Sequence, residues 1–392
     1  MSGDPTWQFD LPEELIAQDP PKRRGDSRLL LVQPDQGPVG ERVFRELPEI
    51  LQPGDLLVLN DSRVLPARLQ TRRVDTGGQV EFLLIRPVEA GTWLAMAKPG
   101  RRLRPGIRLA VGDGVSELEI VRKRDDGQVL VKSDPDPWQL AALHGVMPLP
   151  PYIRRDGNDP RQEERVRQDK VRYQTVYNQP DSTGAGSVAA PTAGLHFSDH
   201  TMNALQARGV STVRVSLHVG PGTFKPPTPE QIDSGRLHRE FFRYSAETHR
   251  AITETRERGG RVIAVGTTSL RVLESVQRLG LDEDGSPRRE FNSCPENPDP
   301  FFTGLAEKVK GHWQVTGMTR LFIQPPDRVS AADGLLTNFH LPGSSLLMLV
   351  AALSGQQVWR DAYAFAVENK MRFYSYGDCM LLLPGCAQIA ED

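Results

Sequence analysis

Gly334-Leu335-Leu336-Thr337-Asn338-Phe339-His340-Leu341-Pro342-Gly343-Ser344 reads as an apolar strand end, a polar loop and a helix cap in succession. Ser344 stands where an N-cap belongs, and the apolar run Leu346–Leu353 behind it fits a buried helix. The order of polar loop, glycine and helix cap recurs nearby. Val188-Ala189-Ala190-Pro191-Thr192-Ala193-Gly194-Leu195-His196-Phe197 leads into Ser198, a second N-cap, for a helix that Gly209 stops. Val213, Val215, Leu217 and Val219 then alternate with Thr212, Arg214, Ser216 and His218, which is strand spacing. Arg261–Val265 predicts another strand, followed by Gly266-Thr267-Thr268-Ser269 and a helix to Gln277. Phe373–Tyr376 and Met380–Leu383 predict strands around Gly377-Asp378. Polar junctions between strands and helices are where α/β proteins hold ligands.

Outward from this C-terminal region the pattern changes. Residues 67–134 read as an all-β unit. Its expected strands are Ala67–Val74, Gln79–Val88, Thr92–Lys98, Glu117–Arg124 and Gln128–Lys132. Thr76-Gly77-Gly78, Ala90-Gly91, Gly112-Asp113-Gly114 and Asp126-Gly127 supply the hairpin turns between them. Such even spacing predicts a small meander or barrel. Lys98, Arg101, Arg102, Arg104 and Arg108 crowd around two Pro-Gly pairs in this unit. Residues 154–172 are densely charged and predict a solvated or mobile loop. Residues 181–187 predict a flexible segment by composition, and 280–315 a polar, Pro-rich insertion.

The 392 residues suffice for two domains with a sizeable core. A net charge of −2 excludes a generally basic nucleic-acid binder, so any such contact must come from local patches. Cys294, Cys379 and Cys386 have neither metal nor disulfide spacing. With no secretory leader pattern, a reducing cytoplasm is expected. The longest apolar run, Leu346–Leu353, is too short to span a bilayer.

No Gly-x-Gly-x-x-Gly after a strand, P-loop or Gly-x-Ser-x-Gly elbow is present, and the histidines lack metal spacing. The candidates that remain are polar residues at strand ends: His196, His218, Thr267, Thr268, Asn338, His340, Tyr376 and Asp378. Histidine suits proton transfer near neutral pH. Each of these residues also has an ordinary structural explanation. Thr267–Ser269 would cap a helix, though free N–H groups there also suit a carboxylate or phosphate. Asp378 after Gly377 is a common turn residue, and a lone histidine such as His218 is more often a structural hydrogen-bonder. The arginines of 101–108 form a solvated loop unless phosphate is their partner.

Together with other long, ordered motifs, these stretches resemble one family: the S-adenosylmethionine:tRNA ribosyltransferase-isomerases of queuosine biosynthesis. The likeness runs from Phe9-Asp10-Leu11-Pro12 to Leu383. It takes in Leu59-Asn60-Asp61-Ser62-Arg63-Val64-Leu65-Pro66-Ala67-Arg68, Pro148–Ile153 and Tyr173-Gln174-Thr175-Val176-Tyr177. Further on it includes Val188–Phe197, Leu217–Phe224, Val265–Ser269, Leu336–Pro342 and Phe373–Asp378. The resemblance implies a mixed α+β fold, in which a main α/β domain with an open β-barrel-like centre is interrupted by a small antiparallel β-barrel. The expected division is 1–66 and 151–392 for the main domain and 67–150 for the inserted barrel.

It also implies a reaction. The ribosyl part of S-adenosylmethionine is moved onto 7-aminomethyl-7-deazaguanine at the tRNA wobble position and rearranged to epoxyqueuosine, with release of adenine and methionine. S-adenosylmethionine would be a consumed co-substrate, with no metal or separate cofactor, and a monomer is expected. The sulfonium acidifies the ribose C5′ protons, so a base must remove one. His196, His218 and His340 are the proton-transfer candidates. Thr267 and Thr268 would hold the methionine carboxylate, and Asn338 and Asp378 ribose or base edges. Arg101, Arg102, Arg104, Arg154 and Arg155 would contact tRNA, and Asp61 and Arg63 lie in matching motifs. Gly235 stands where the family commonly has a histidine, while His238 and Glu240 are kept. Gln324-Pro325-Pro326 replaces a usual Tyr-Pro-Gly. Two competing readings are a nucleotide-binding α/β transferase acting on a free small molecule and a non-catalytic tRNA-binding protein. The Arg-rich loops count against the first, and the strand-end histidines and threonines against the second.

Overall fold

The computed structural model describes residues 5–89, 91–112, 114–155, 159–180, 186–286, 302–309 and 311–386. Expectations for 181–185, for 287–301 with Cys294, and for the turn residues Ala90 and Asp113 lie outside these. The chain divides into two compact units. One comprises Met1–Asp61, Thr175–Tyr177 and Pro191–Asp392; the other comprises Ser62–Gln174 and Asn178–Ala190. The hairpins expected over 67–150 fall in the second.

The first unit opens with β1 (Arg28–Gln33), β2 (Gly37–Val43), the one-turn helix α1 (Leu47–Ile50) and β3 (Leu56–Asn60). The second unit holds β4 (Arg68–Arg73), β5 (Gln79–Glu89), β6 (Thr92–Lys98), β7 (Arg108–Val111), β8 (Ser116–Lys123) and β9 (Val129–Ser133). Helices α2 (Pro137–His144) and α3 (Gln162–Arg172) follow. The first unit resumes with α4 (Asp199–Ala207), β10 (Ser211–His218), α5 (Pro229–Ser234), β11 (Arg236–Ser245) and α6 (Ala246–Glu257). It continues through β12 (Val262–Val265), α7 (Thr267–Leu279), β13 (Phe302–Val309), β14 (His312–Leu321) and β15 (Gly334–Asn338). It ends with α8 (Ser345–Ser354), α9 (Gln356–Glu368) and β16 (Cys379–Leu382).

The first unit is one mixed sheet of ten strands, ordered β13-β14-β11-β10-β3-β12-β15-β16-β1-β2. At its centre β10, β3, β12 and β15 run parallel. Strands β3, β12 and β15 are buried at every position, as unbroken apolar runs covered on both faces must be. Helix α7 packs on β10 and β12, and α9 on β1 and β2. Leu57, Leu59, Ile263, Val265, Leu336 and Leu381 carry the core, with Phe44 and Phe197. Ser198 and Ser344 cap α4 and α8 as expected, accepting from the N–H groups of Thr201 and Leu347.

The second unit is a closed barrel, β4-β5-β6-β9-β8-β7, with β7 pairing back onto β4 from Thr71↔Val111. Closure leaves no free sheet edge within it. Alternate residues fill the interior, including Leu69, Phe82, Trp93, Leu109, Leu118 and Val131. Trp93 Nε1 donates to Asp136 Oδ1 at 2.8 Å, and Asp136 caps α2.

Three expectations are corrected. The charged stretch 154–172 contains helix α3, not a loop throughout. Asp169, at 5% side-chain exposure, takes a bidentate pair from Arg155 at 2.8 Å through each oxygen. Acidic residues in the first turn and basic ones in the last suit the helix dipole. Phe373–Tyr376 is a loop in which Phe373 alone makes a bridge, to Ile16. Asp378 closes that loop by accepting from the Arg372 N–H at 2.8 Å. Of the expected 280–315 insertion, Phe302–Val309 and the start of β14 belong to an antiparallel pair that extends the sheet. Among the described residues no helix is long and apolar enough to cross a membrane.

Candidate active site

The parallel strands β3, β10, β12 and β15 all end on one edge of the sheet. Strand β16 runs against β15, with Asn338↔Cys379, so it begins at that edge, and so does its parallel neighbour β1. The edge therefore collects Asn60 and Asp61 after β3, His218 on β10, Thr267 and Thr268 after β12, Asn338 on β15, Asp378 before β16 and Ser27 before β1. It is the carboxyl edge, where open α/β sheets take ligands.

Asn60 organises its middle. Fully buried, its Oδ1 accepts from the Leu217 N–H at 3.0 Å, and its Nδ2 donates to the Leu217 carbonyl and to Thr268 Oγ1, both at 3.1 Å. The amide thus ties β10 to β3 beyond their regular pairing and fixes one threonine. Gly266, at φ 87°, turns the chain from β12 into α7, a conformation that favours glycine. No side chain caps α7, so its first N–H groups face outward from the strand end beside Thr267 and Thr268.

His196 is buried between Ser27 and Phe44. Its Nδ1 lies 2.9 Å from Ser27 Oγ, and its ring centroid is 5.1 Å from that of Phe44. Burial drives its pKa down to about 4, against the weaker pull of Asp378 and of Asn338, which faces the ring. Yet His196 Nε2 and Asn338 Oδ1 are both buried without a partner in hydrogen-bonding geometry. Asn338 is otherwise held by donating from Nδ2 to the Tyr374 carbonyl at 2.9 Å. Buried polar atoms of this kind are rare, and a ligand that satisfies them is strongly favoured. The Tyr177 hydroxyl is a third such atom, and burial and the Asp61 charge raise its pKa. Asp61 accepts from Ser216 Oγ at 2.7 Å, and burial raises its own pKa above the usual carboxylate value.

The other expected residues sit differently. His340 lies in the core: its Nε2 is 2.9 Å from Thr337 Oγ1, its backbone N–H donates to the Tyr363 hydroxyl, and burial drives its pKa to about 3. His218 is half-buried, 5.0 Å from the Phe241 ring across the β10–β11 pair. Both Asp378 oxygens already accept backbone N–H groups, from Arg28 at 2.9 Å and Arg372 at 2.8 Å. Asp378 thus holds β1 and the 372–378 loop together. In the second unit Arg101, Arg102, Arg104 and Arg154 are exposed. Arg155 departs from the expected phosphate contact, because its guanidinium serves the buried Asp169.

A second cluster had no place among the sequence candidates. Glu240 on β11, at 1% side-chain exposure, receives the Gly220 N–H at 3.0 Å, Thr223 Oγ1 at 2.8 Å and the Arg271 guanidinium, and lies 3.1 Å from His238 Nε2. Burial alone would raise its pKa, but Arg271 and His238 outweigh that and hold it near 2. A register shift in the β11–β14 pairing between Arg236 and Glu240 turns this carboxylate inward. The signal for it in the sequence was the resemblance, in which His238 and Glu240 are kept, without any role attached to them. Among the described residues no group of three or more His, Cys, Asp or Glu side chains is arranged to hold a metal.

Comparison with known proteins agrees with this picture. The model of a family described as "Queuosine biosynthesis protein" matches residues 5–382. The S-adenosylmethionine:tRNA ribosyltransferase-isomerase of Thermotoga petrophila is 41% identical over 377 residues, 96% of this chain and 98% of that one. Its namesake from Desulforamulus reducens is 42% identical over 380 residues, with the same coverage. The crystal structure of the Thermotoga maritima S-adenosylmethionine tRNA ribosyltransferase matches 96% of this chain and all of that chain, at 33% identity and a TM-score of 0.50. With near-complete coverage of both chains and a shared mixed α+β fold, this protein belongs to the queuosine biosynthesis family of S-adenosylmethionine:tRNA ribosyltransferase-isomerases.

Proposed function

We infer that this protein is an S-adenosylmethionine:tRNA ribosyltransferase-isomerase, transferring and isomerising the ribosyl group of S-adenosylmethionine onto 7-aminomethyl-7-deazaguanine in tRNA. The observation that carries the reading from family to site is the buried, unpartnered pair His196 Nε2 and Asn338 Oδ1 on the carboxyl edge. An amide oxygen beside an imidazole nitrogen matches the donor and acceptor edge of adenine. Asn338 Oδ1 would accept from the exocyclic amine, and His196 Nε2–H would donate to a ring nitrogen, with Ser27 holding the other side of the imidazole. The uncapped start of α7, with Thr267 and Thr268, suits the methionine carboxylate. His196 and His340, with pKa values of about 4 and 3, stay neutral at physiological pH. So low a pKa makes each a weak base, and we assign them hydrogen-bonding roles and the general-base work to another residue.

The exposed Arg101, Arg102, Arg104 and Arg154 would meet tRNA phosphates. In this reading S-adenosylmethionine is consumed, no metal takes part, and the enzyme acts as a cytoplasmic monomer. The test is incubation with S-adenosylmethionine and tRNA carrying the deazaguanine precursor. Adenine and methionine should appear in step with modified tRNA, and only when the tRNA is present. Release in its absence would favour a transferase for a free small molecule, and tRNA binding without release a non-catalytic binder.

A further inference from the structure

Glu240 is a carboxylate buried to 1% exposure, and nearly all of its hydrogen-bonding capacity is directed at one task. Arg271, also buried, keeps it ionised; the Gly220 N–H and Thr223 hydroxyl fix its orientation. What the carboxylate then does is hold His238 Nε2, 3.1 Å away. A carboxylate on one imidazole nitrogen selects the tautomer with hydrogen on that nitrogen and leaves the other with a lone pair. The other is Nδ1, and the chain leaves it open. Among the described residues Nδ1 has no hydrogen-bond partner, and a Cβ placed on Gly222 would stand 2.7 Å from it, so a side chain at 222 would block this nitrogen. The His238 side chain is 27% exposed, so small molecules can reach it, whereas Glu240 behind it is sealed.

The cluster is continuous with the carboxyl edge. Gly220 follows His218 at the end of β10. Arg271 lies one helical turn, about 5 Å, beyond Thr267 on α7. His196 and His340 lack any comparable carboxylate partner and are buried.

We propose that His238 is the base that removes the ribose C5′ proton of S-adenosylmethionine, with Glu240 and Arg271 as its positioning residues. This rests on the function inferred above. The Nδ1 lone pair forms the new N–H bond. The C5′–H bond breaks, and its electron pair stays on carbon beside the positively charged sulfur. The imidazolium so formed faces the Glu240 carboxylate, which was ionised beforehand, so no charge has to be gathered during the step.

The experiment compares the parent enzyme with His238→Asn and His238→Ala, using S-adenosylmethionine and precursor-bearing tRNA. Both variants should lose ~10²–10⁴-fold in kcat, the range for a general base. KM and calorimetric affinity for S-adenosylmethionine should move only a few-fold, since the group acts in the transition state. Added imidazole should restore turnover of His238→Ala in proportion to its free-base concentration, which a purely structural residue would not permit. His238→Asn keeps polarity and bulk should the alanine variant unfold. Turnover of His238→Asn within about fivefold of the parent overturns the assignment, as does a folded His238→Ala that imidazole fails to rescue. A parent that releases no adenine overturns the functional reading itself, and this assignment with it.

Discussion

Two imidazoles border the same edge of the sheet in opposite settings. His196, between Ser27 and Phe44, has a neutral hydroxyl on one nitrogen and no partner in hydrogen-bonding geometry on the other. His238, on β11, has a buried and ionised carboxylate on one nitrogen and a bare glycine beside the other. The first has been stripped of water more strongly than the Asp378 charge offsets, so it loses its proton and becomes a fixed hydrogen-bonding surface. The second keeps contact with water and faces an ionised carboxylate. Burial alone therefore does not make a catalytic histidine; the charge on the far side of the ring decides which chemistry it can do.

The strongest way to break this contrast is to neutralise the carboxylate. Glu240→Gln leaves Arg271, at 7% side-chain exposure, as a buried charge without its partner. The expected loss is about 3–5 kcal/mol of unfolding free energy, measured by urea titration. Adding Arg271→Met should recover part of it. Stability of the single variant within about 1 kcal/mol of the parent, on the order of an exposed pair, would show that the cluster is not the sealed unit described here.

Acid should expose the other imidazole. His196 has a folded pKa of about 4 against 6.5 for a free side chain, so below 6.5 the unfolded state binds the proton and the folded state does not. Stability then falls as the pH drops from 6.5 towards 4, by about 1.4 kcal/mol per pH unit for this residue. His340, near 3, adds in the same direction. Glu240 runs the opposite way in mechanism: its contribution is complete above 4.5 and disappears only as the pH falls through about 2, leaving the 4.5–6.5 window to the histidines. Asn338→Asp would give His196 the kind of partner His238 already has. Unfolding titrations at pH 7, 5.5 and 4.5 should show a flatter slope in that variant, and an unchanged slope would mean that His196 is not the group responsible.

The smallest expected effect tests the exposed arginines. Replacing Arg101, Arg102 and Arg104 by Ala should weaken tRNA binding while leaving S-adenosylmethionine binding alone. Every arginine that pairs with a phosphate should, once replaced, flatten the salt dependence by roughly one unit of slope. A slope equal to the parent's would return these side chains to ordinary solvated loop positions.

What could be read ahead of the structure was local. The Gly-rich turns at Thr76-Gly77-Gly78 and Asp126-Gly127 announced barrel hairpins because turn chemistry is written in adjacent residues. The serine caps and Gly266 announced helix starts for the same reason. Thr267, Thr268, Asn338 and His196 could be placed at the carboxyl edge because each lies in a polar break after an apolar run. The misses were non-local. Glu240 turns inward only because of a pairing irregularity with β14, some 80 residues later. Asp378 accepts from the N–H of Arg28, 350 residues away, a tie that no local pattern announces. Helix α3 lacks an apolar stripe, so nothing in its periodicity distinguished it from a charged loop; ion pairs such as Arg155–Asp169 and Arg165–Asp159 tie it to the preceding chain.

The parallel pairing of β1 with β16 sets a timetable for the ribosome. Leu29 meets Cys379 and Val32 meets Leu382, so an inner strand of the sheet waits for a partner some 350 residues later in the chain. The barrel strands, all between Arg68 and Ser133, find their partners within that stretch and need nothing later. At about 5–20 residues per second, β1 spends on the order of tens of seconds exposed while the barrel is already closed. During that interval the nascent chain carries both a closed unit and an apolar strand, Leu29–Val32, paired with β2 on one side while its other neighbour has yet to be made. Chaperone demand should therefore concentrate on the Leu29–Val32 strand.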